Sequence, residues 1–207
     1  LGRAYYDLGD PRRSGFVLSG IPLNSPFGSL ALIGRGWAAL RESNGEEFKK
    51  VEGLIESIAS RVPESQRGEV RLLRAYHFMV KGERETAIEF AKKANFPEKG
   101  YEELLAIKYK IISEATLEMY LEKFKGWEFE KRMAALESIV KYVQAVPDSE
   151  RDASFAFVAA EAYWLMASAY RVKDAQKFGD KANELLAESD NWILPWMERS
   201  LRENKPY

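Results

Sequence analysis

The chain is predicted to be all-α, an antiparallel array of helix hairpins. Three observations predict this. Apolar residues recur at helical spacing through most of the length, glycine and proline gather at the joints, and no segment alternates apolar and polar between hairpin turns. Helices joined by two- to six-residue turns pack as antiparallel neighbours.

Each element has its own signal. Residues 1–10 read as the end of a helix closed by Gly9. Residues 11–28 carry Phe16, Val17, Leu18, Ile21, Leu23 and Phe27 among Gly and Pro, with no acid, and read as an irregular apolar loop that should be buried. Ser29 is expected to cap a helix to about Arg41, and Ser43-Asn44-Gly45 to turn the chain. Val51, Leu54, Ile55 and Ile58 lie on one face of a helix over 46–61 that Pro63 ends. Helices over 66–81 and 85–94 follow, separated at Gly82. A long helix over 102–125 carries Leu104, Ile107 and Ile111 on one face and stops at Gly126. The remainder divides into helices over 128–145, 152–172, 174–187 and 192–202, the last a terminal cap. The expected organisation is one helical-repeat domain over 1–207: a partial repeat helix (1–10), the apolar loop (11–28), a first unit (29–100), a connecting helix (101–126) and a second unit (127–207).

The chain repeats itself. Val62-Pro63-Glu64-Ser65-Gln66-Arg67 returns 84 residues later as Val146-Pro147-Asp148-Ser149-Glu150-Arg151. The run from Thr86 to Asn95 returns 88 residues later from Asp174 to Asn183, with Ala87, Phe90 and Ala94 matched by Ala175, Phe178 and Ala182. Two matches in the same order indicate a degenerate duplication whose spacing differs by about one helical turn.

The local pattern resembles the tetratricopeptide repeat, a helix–turn–helix unit of about 34 residues. Leu1-Gly2 with Tyr5 and Gly9 matches the end of a first repeat helix. In the central copy Ala75, Phe78, Gly82, Ala87 and Ala94 stand at the small, aromatic and turn positions. The C-terminal copy keeps Ala175, Phe178 and Ala182 without the turn glycine. The resemblance implies a right-handed superhelix whose first-helix side chains line a concave surface for a peptide or partner protein, without chemistry of its own. Carried onto this chain, those positions are Arg3, Tyr6 and Asp7 in the first motif and Glu69, Leu72, Tyr76 and Met79 in the central copy.

Chemistry-bearing residues are few. With 31 Lys and Arg against 32 Asp and Glu, the net charge of −1 lacks the basic excess of a nucleic-acid binder. Cysteine is absent and His77 is the single histidine, which excludes thiolate chemistry and multi-histidine metal sites. No phosphate-binding glycine loop or nucleophile elbow occurs, so no cofactor and no enzymatic activity are expected. Gly34 and Gly36 read as points of close helix packing.

Glu161, alone in an apolar run, requires a partner or a groove. With Tyr163, Trp164 and Tyr170 it defines an alternative: a pocket for a small ligand between the duplicated halves, as in a ligand-binding or transport-associated protein. The aromatic residues around Gly126 (Tyr120, Phe124, Trp127, Phe129) suit either a core or an interface. No run is long enough to span a membrane, and a soluble protein is expected. The chain opens on Leu1 in mid-motif, which suggests upstream processing and leaves the compartment open. Self-association through 11–27 is a further expectation.

Overall fold

The structure, a computed structural model, describes residues 1–43, 48–97 and 99–203. All regular elements among them are helices, and the chain divides into two compact units, Leu1–Phe96 and Pro97–Tyr207. The expected turn at 43–45 and the start of the helix over 46–61 lie partly outside the described residues.

The first unit contains α1 (Gly2–Asp7), α2 (Pro11–Ser19), α3 (Gly28–Glu42), α4 (Phe48–Arg61), α5 (Arg67–Val80) and α6 (Arg84–Lys93). Each helix packs on the next, and α3 also touches α1 and α5, so alternate helices form a row. The core between α3, α4 and α5 is filled by Leu32, Ile33, Leu40, Val51, Ile55, Ile58, Val70 and Leu73.

The expectation of an irregular loop at 11–28 is overturned over its first half. Asp10 accepts a hydrogen bond from the Arg13 amide at 3.0 Å, and Pro11 occupies the first turn of α2, where its missing N–H costs nothing. Nor is the segment's apolar surface hidden: Phe16 is 81% exposed and Phe27 66%. Ser29 lies inside α3, whose N-cap is Phe27.

The turns from α1 to α2 and from α5 to α6 are the same structure. Gly9 and Gly82 adopt φ values of 81° and 79°, a left-handed conformation that glycine enters without a Cβ penalty. Their amides donate to Tyr6 and Met79, while the next amides, of Asp10 and Glu83, reach back to Tyr5 and Phe78. This is the paired hydrogen-bond pattern of a Schellman motif. Buried small residues match across the two hairpins as well, Gly2 with Ala75 and Ser14 with Ala87.

The second unit contains α7 (Glu102–Lys123), α8 (Phe129–Gln144) and α9 (Ala153–Glu203). The helix expected to connect two units is part of this one, since α7 packs on α8 and α9. Asp174, at φ −167° and ψ 97°, breaks α9 into arms over 153–173 and 175–203 and caps the second by accepting from the Gln176 and Lys177 amides. That break matches the sequence expectation. The expected separation of 174–187 from 192–202 does not occur, because the second arm runs through Pro195. Proline there withholds a donor from the Asn191 carbonyl, and Asn191 is exposed, where water can take its place. Ser189 donates to the Ala160 carbonyl at 2.8 Å and ties the arms together. Tyr120 belongs to this unit's core with Leu136, Ile139 and Val143, and Phe124, Trp127 and Phe129 pack against it partly buried.

The repeated Val-Pro segments fold alike. Glu64–Gln66 and Asp148–Glu150 are 3-10 turns after an extended Pro63 or Pro147, Val62 and Val146 are buried, and Arg67 and Arg151 pair with Glu64 and Asp148. The second repeated run agrees only partly. Ala94 and Ala182 are both fully buried, whereas Ala87 is buried and its counterpart Ala175 is exposed. We therefore expect Ala87→Leu to cost about 1–3 kcal/mol through overpacking. Ala175→Leu should stay within about 0.5 kcal/mol. Urea melts of the two variants check this, and equal losses would contradict the packing described.

Candidate functional site

A cavity of about 490 Å³ opens in the first unit, bordered by Arg3 and Tyr6 of α1, Ser14 and Leu18 of α2, Leu30, Gly34 and Trp37 of α3, and Glu69 of α5. Its construction rests on two glycines. A Cβ on Gly2 would stand 2.5 Å from Leu18 Cδ2, and one on Gly34 would stand 2.9 Å from Leu18 Cδ1. Leu18 is thus seated in a notch that only the missing side chains of α1 and α3 leave open.

The polar groups converge from three helices. Trp37 Nε1 donates to Glu69 Oε1 at 3.2 Å, and the Trp37 and Tyr76 rings meet edge to face at 6.0 Å. The Arg41 guanidinium lies 4.9 Å from the Tyr6 ring centre and donates to the Tyr6 carbonyl at 2.8 Å. Such a stack holds the phenol in place. Burial pushes the Tyr6 phenol above its ordinary value, Arg41 opposes this through its charge and a hydrogen bond, and Tyr76 adds to it, so the hydroxyl is neutral. Arg3 is held by Asp7 at 2.9 Å. Ser14 Oγ is fully buried at the cavity wall without a hydrogen-bond partner among the described residues.

The expected binding residues therefore separate. Arg3, Tyr6 and Glu69 border the cavity, and Tyr76 joins it through Trp37. Asp7 is exposed and engaged with Arg3, and Met79 is half-buried outside the cavity lining. Leu72 is fully buried, so its place on a binding surface is corrected: it belongs to the helix interface. Trp37, Ser14 and Leu18 are cavity residues that sequence reasoning missed.

The alternative set does not assemble either. Tyr163 and Tyr170 border a cavity of about 230 Å³ with Met166 and Lys181. Trp164 is 54% exposed, and neither it nor Glu161 lines that cavity. Among the described residues, no group of three His, Cys, Asp or Glu side chains could hold a metal ion, and no helix is long and apolar enough to cross a membrane.

His77 is 2% exposed and lies beside Phe78 and Phe90, with Glu52, Glu56 and Arg74 around it. Burial lowers its pKa below 6.5, the Lys81 charge adds to this, and Glu52 and Glu83 oppose it. A base whose folded pKa is depressed takes its proton more readily when unfolded. Its contribution to stability is therefore complete above about pH 6.5 and is lost as pH falls through that value towards the folded pKa. Because it is the only histidine, one NMR titration follows it without ambiguity. The midpoint should fall below 6.5, and His77→Phe should lessen the drop in Tm between about pH 7.5 and 5. A midpoint at or above 6.5 would contradict its burial.

Compared with known proteins, the chain matches no family model, and no curated protein or solved structure is significantly similar to it.

Proposed function

We propose that this chain is a non-catalytic interaction module, a tetratricopeptide-like stack of helix hairpins arranged as a right-handed superhelix, that holds a peptide segment of a partner protein on a concave helical surface. The observation that carries this reading is the convergence of α1, α3 and α5 on one cavity bearing an indole, a phenol and both signs of charge. In repeats of this kind the first helix of each hairpin supplies the binding surface, and α1, α3 and α5 are the first helices of three successive pairs. The identical turns at Gly9 and Gly82 support the repeat assignment. Aromatic anchors of this kind suit a peptide that brings one apolar side chain.

Selection of a displayed random-peptide library against the chain tests the proposal. The selected peptides should lose about tenfold or more in affinity on Tyr6→Ala and on Tyr76→Ala, while Met79→Ala has little effect. Tyr76 is 39% exposed, so its truncation should leave the circular dichroism and Tm close to wild type. Failure to select any peptide, or peptides indifferent to both tyrosines, would overturn the reading.

A further inference from the structure

The second unit contains a larger cleft, about 680 Å³, walled from three elements: Leu117 of α7, Ala153, Phe157 and Val158 of the first arm of α9, and Ile193 and Met197 of the second. The volume lies in the range of about 300–1,000 Å³ in which small molecules are held, and the space between packed helices is a usual place for them. Phe157 is 57% exposed and Met197 43%, so these walls keep apolar area that their own unit leaves uncovered.

The class of occupant follows from the polar groups at the border. Ser154, the one hydroxyl-bearing residue of the lining, already donates to Asp152. The amides of Ser154 and Phe155, in the first turn of α9, donate to the same carboxylate at 2.9 and 3.3 Å, so this helix start is already capped. The charged residues of the lining, Glu114 and Glu118, are both acidic, and Glu118 has a partner of its own. The other lining residues lie within helices, whose backbone groups bond along the helix. An extended peptide would therefore bury its own donors and acceptors without partners, and a carboxylate or phosphate would find no counter-charge. A molecule without charge or hydrogen-bonding groups meets neither penalty and gains from leaving water.

We propose that this cleft binds an uncharged lipophilic small molecule, held by contact with Leu117, Phe157, Ile193 and Met197 and by the removal of their apolar surface from water. This inference is independent of peptide binding in the first unit, whose cavity carries an indole, a phenol and both signs of charge.

Fluorescence titration of the full chain with N-phenyl-1-naphthylamine and with 8-anilino-1-naphthalenesulfonate tests it, since the two dyes share a skeleton and only the second carries a charge. The neutral dye should bind one to one, and the sulfonate at least about tenfold more weakly. Phe157→Ala and Met197→Asp should each weaken the neutral dye by about tenfold or more, the first by removing apolar contact and the second by placing a charge on the wall. Both positions are partly exposed, so circular dichroism and Tm should stay close to wild type. Tyr6→Ala, in the cavity of the first unit, should leave the dye affinity unchanged. Equal affinity for the two dyes, no binding of the neutral one, or an affinity indifferent to both cleft substitutions would overturn the proposal. So would a dimer in light scattering that Met197→Asp converts to a monomer, which would assign the cleft to a second copy of the chain.

Discussion

The first unit depends on helices approaching more closely than ordinary side chains allow. Gly36 of α3 faces α4 and α5, and a Cβ there would stand 2.8 Å from Ile58 Cδ1 and 3.0 Å from Leu73 Cδ1, both on fully buried side chains. Gly68 of α5 is tighter still against backbone, with its would-be Cβ 2.6 Å from the Asn95 carbonyl oxygen. Fully buried Ala75 and Ala87 continue the same device between α5 and α6. Interiors are packed near crystal density, so an added methyl must displace the ends of Ile58 and Leu73 at Gly36 and backbone at Gly68.

The cavity follows from this constraint. Trp37 comes one residue after Gly36 on α3, so the seating of Gly36 sets where the indole meets Glu69 and Tyr76. Leu18, between Gly2 and Gly34, sets the floor in the same way. The polar contacts then act on a frame already fixed by packing. Most are exposed pairs that contribute little to stability, such as Arg3 with Asp7 and Arg12 with Glu42. Their part is to hold side chains in position, as Arg41 does for Tyr6.

Local signals were legible in the sequence wherever a short motif determines its own backbone. The Val-Pro-acid-Ser segments, the Gly9 and Gly82 turns and the Asp174 break all behave this way. The start of α2 was equally available, since Asp10 followed by Pro11 is a helix-start signal, but the crowded apolar residues and Gly15 behind it suggested a loop. Tertiary facts were not legible. Periodicity cannot separate Leu72, fully buried, from Tyr76, which is exposed, because both lie near the edge of one apolar face. Trp37 and Ser14 join the cavity only through partners distant in sequence, and Glu161 and Trp164 are parted from Tyr163 by the rotation of each residue about α9. The repeated run likewise keeps Ala182 buried like Ala94 but leaves Ala175 exposed where Ala87 is buried, because burial depends on which helix packs opposite.

A double-mutant cycle between Gly36 and Ile58 tests the close-approach constraint most directly. Ile58→Val deletes the Cδ1 atom that a methyl on Gly36 would meet, so Gly36→Ala and Ile58→Val change the same small volume from opposite sides. Each substitution alone should destabilise the chain, and the double variant should be more stable than their sum predicts by about 0.5 kcal/mol or more. Strictly additive losses would show that Gly36 is not a packing contact, and the placement of Trp37 at the cavity would need another cause.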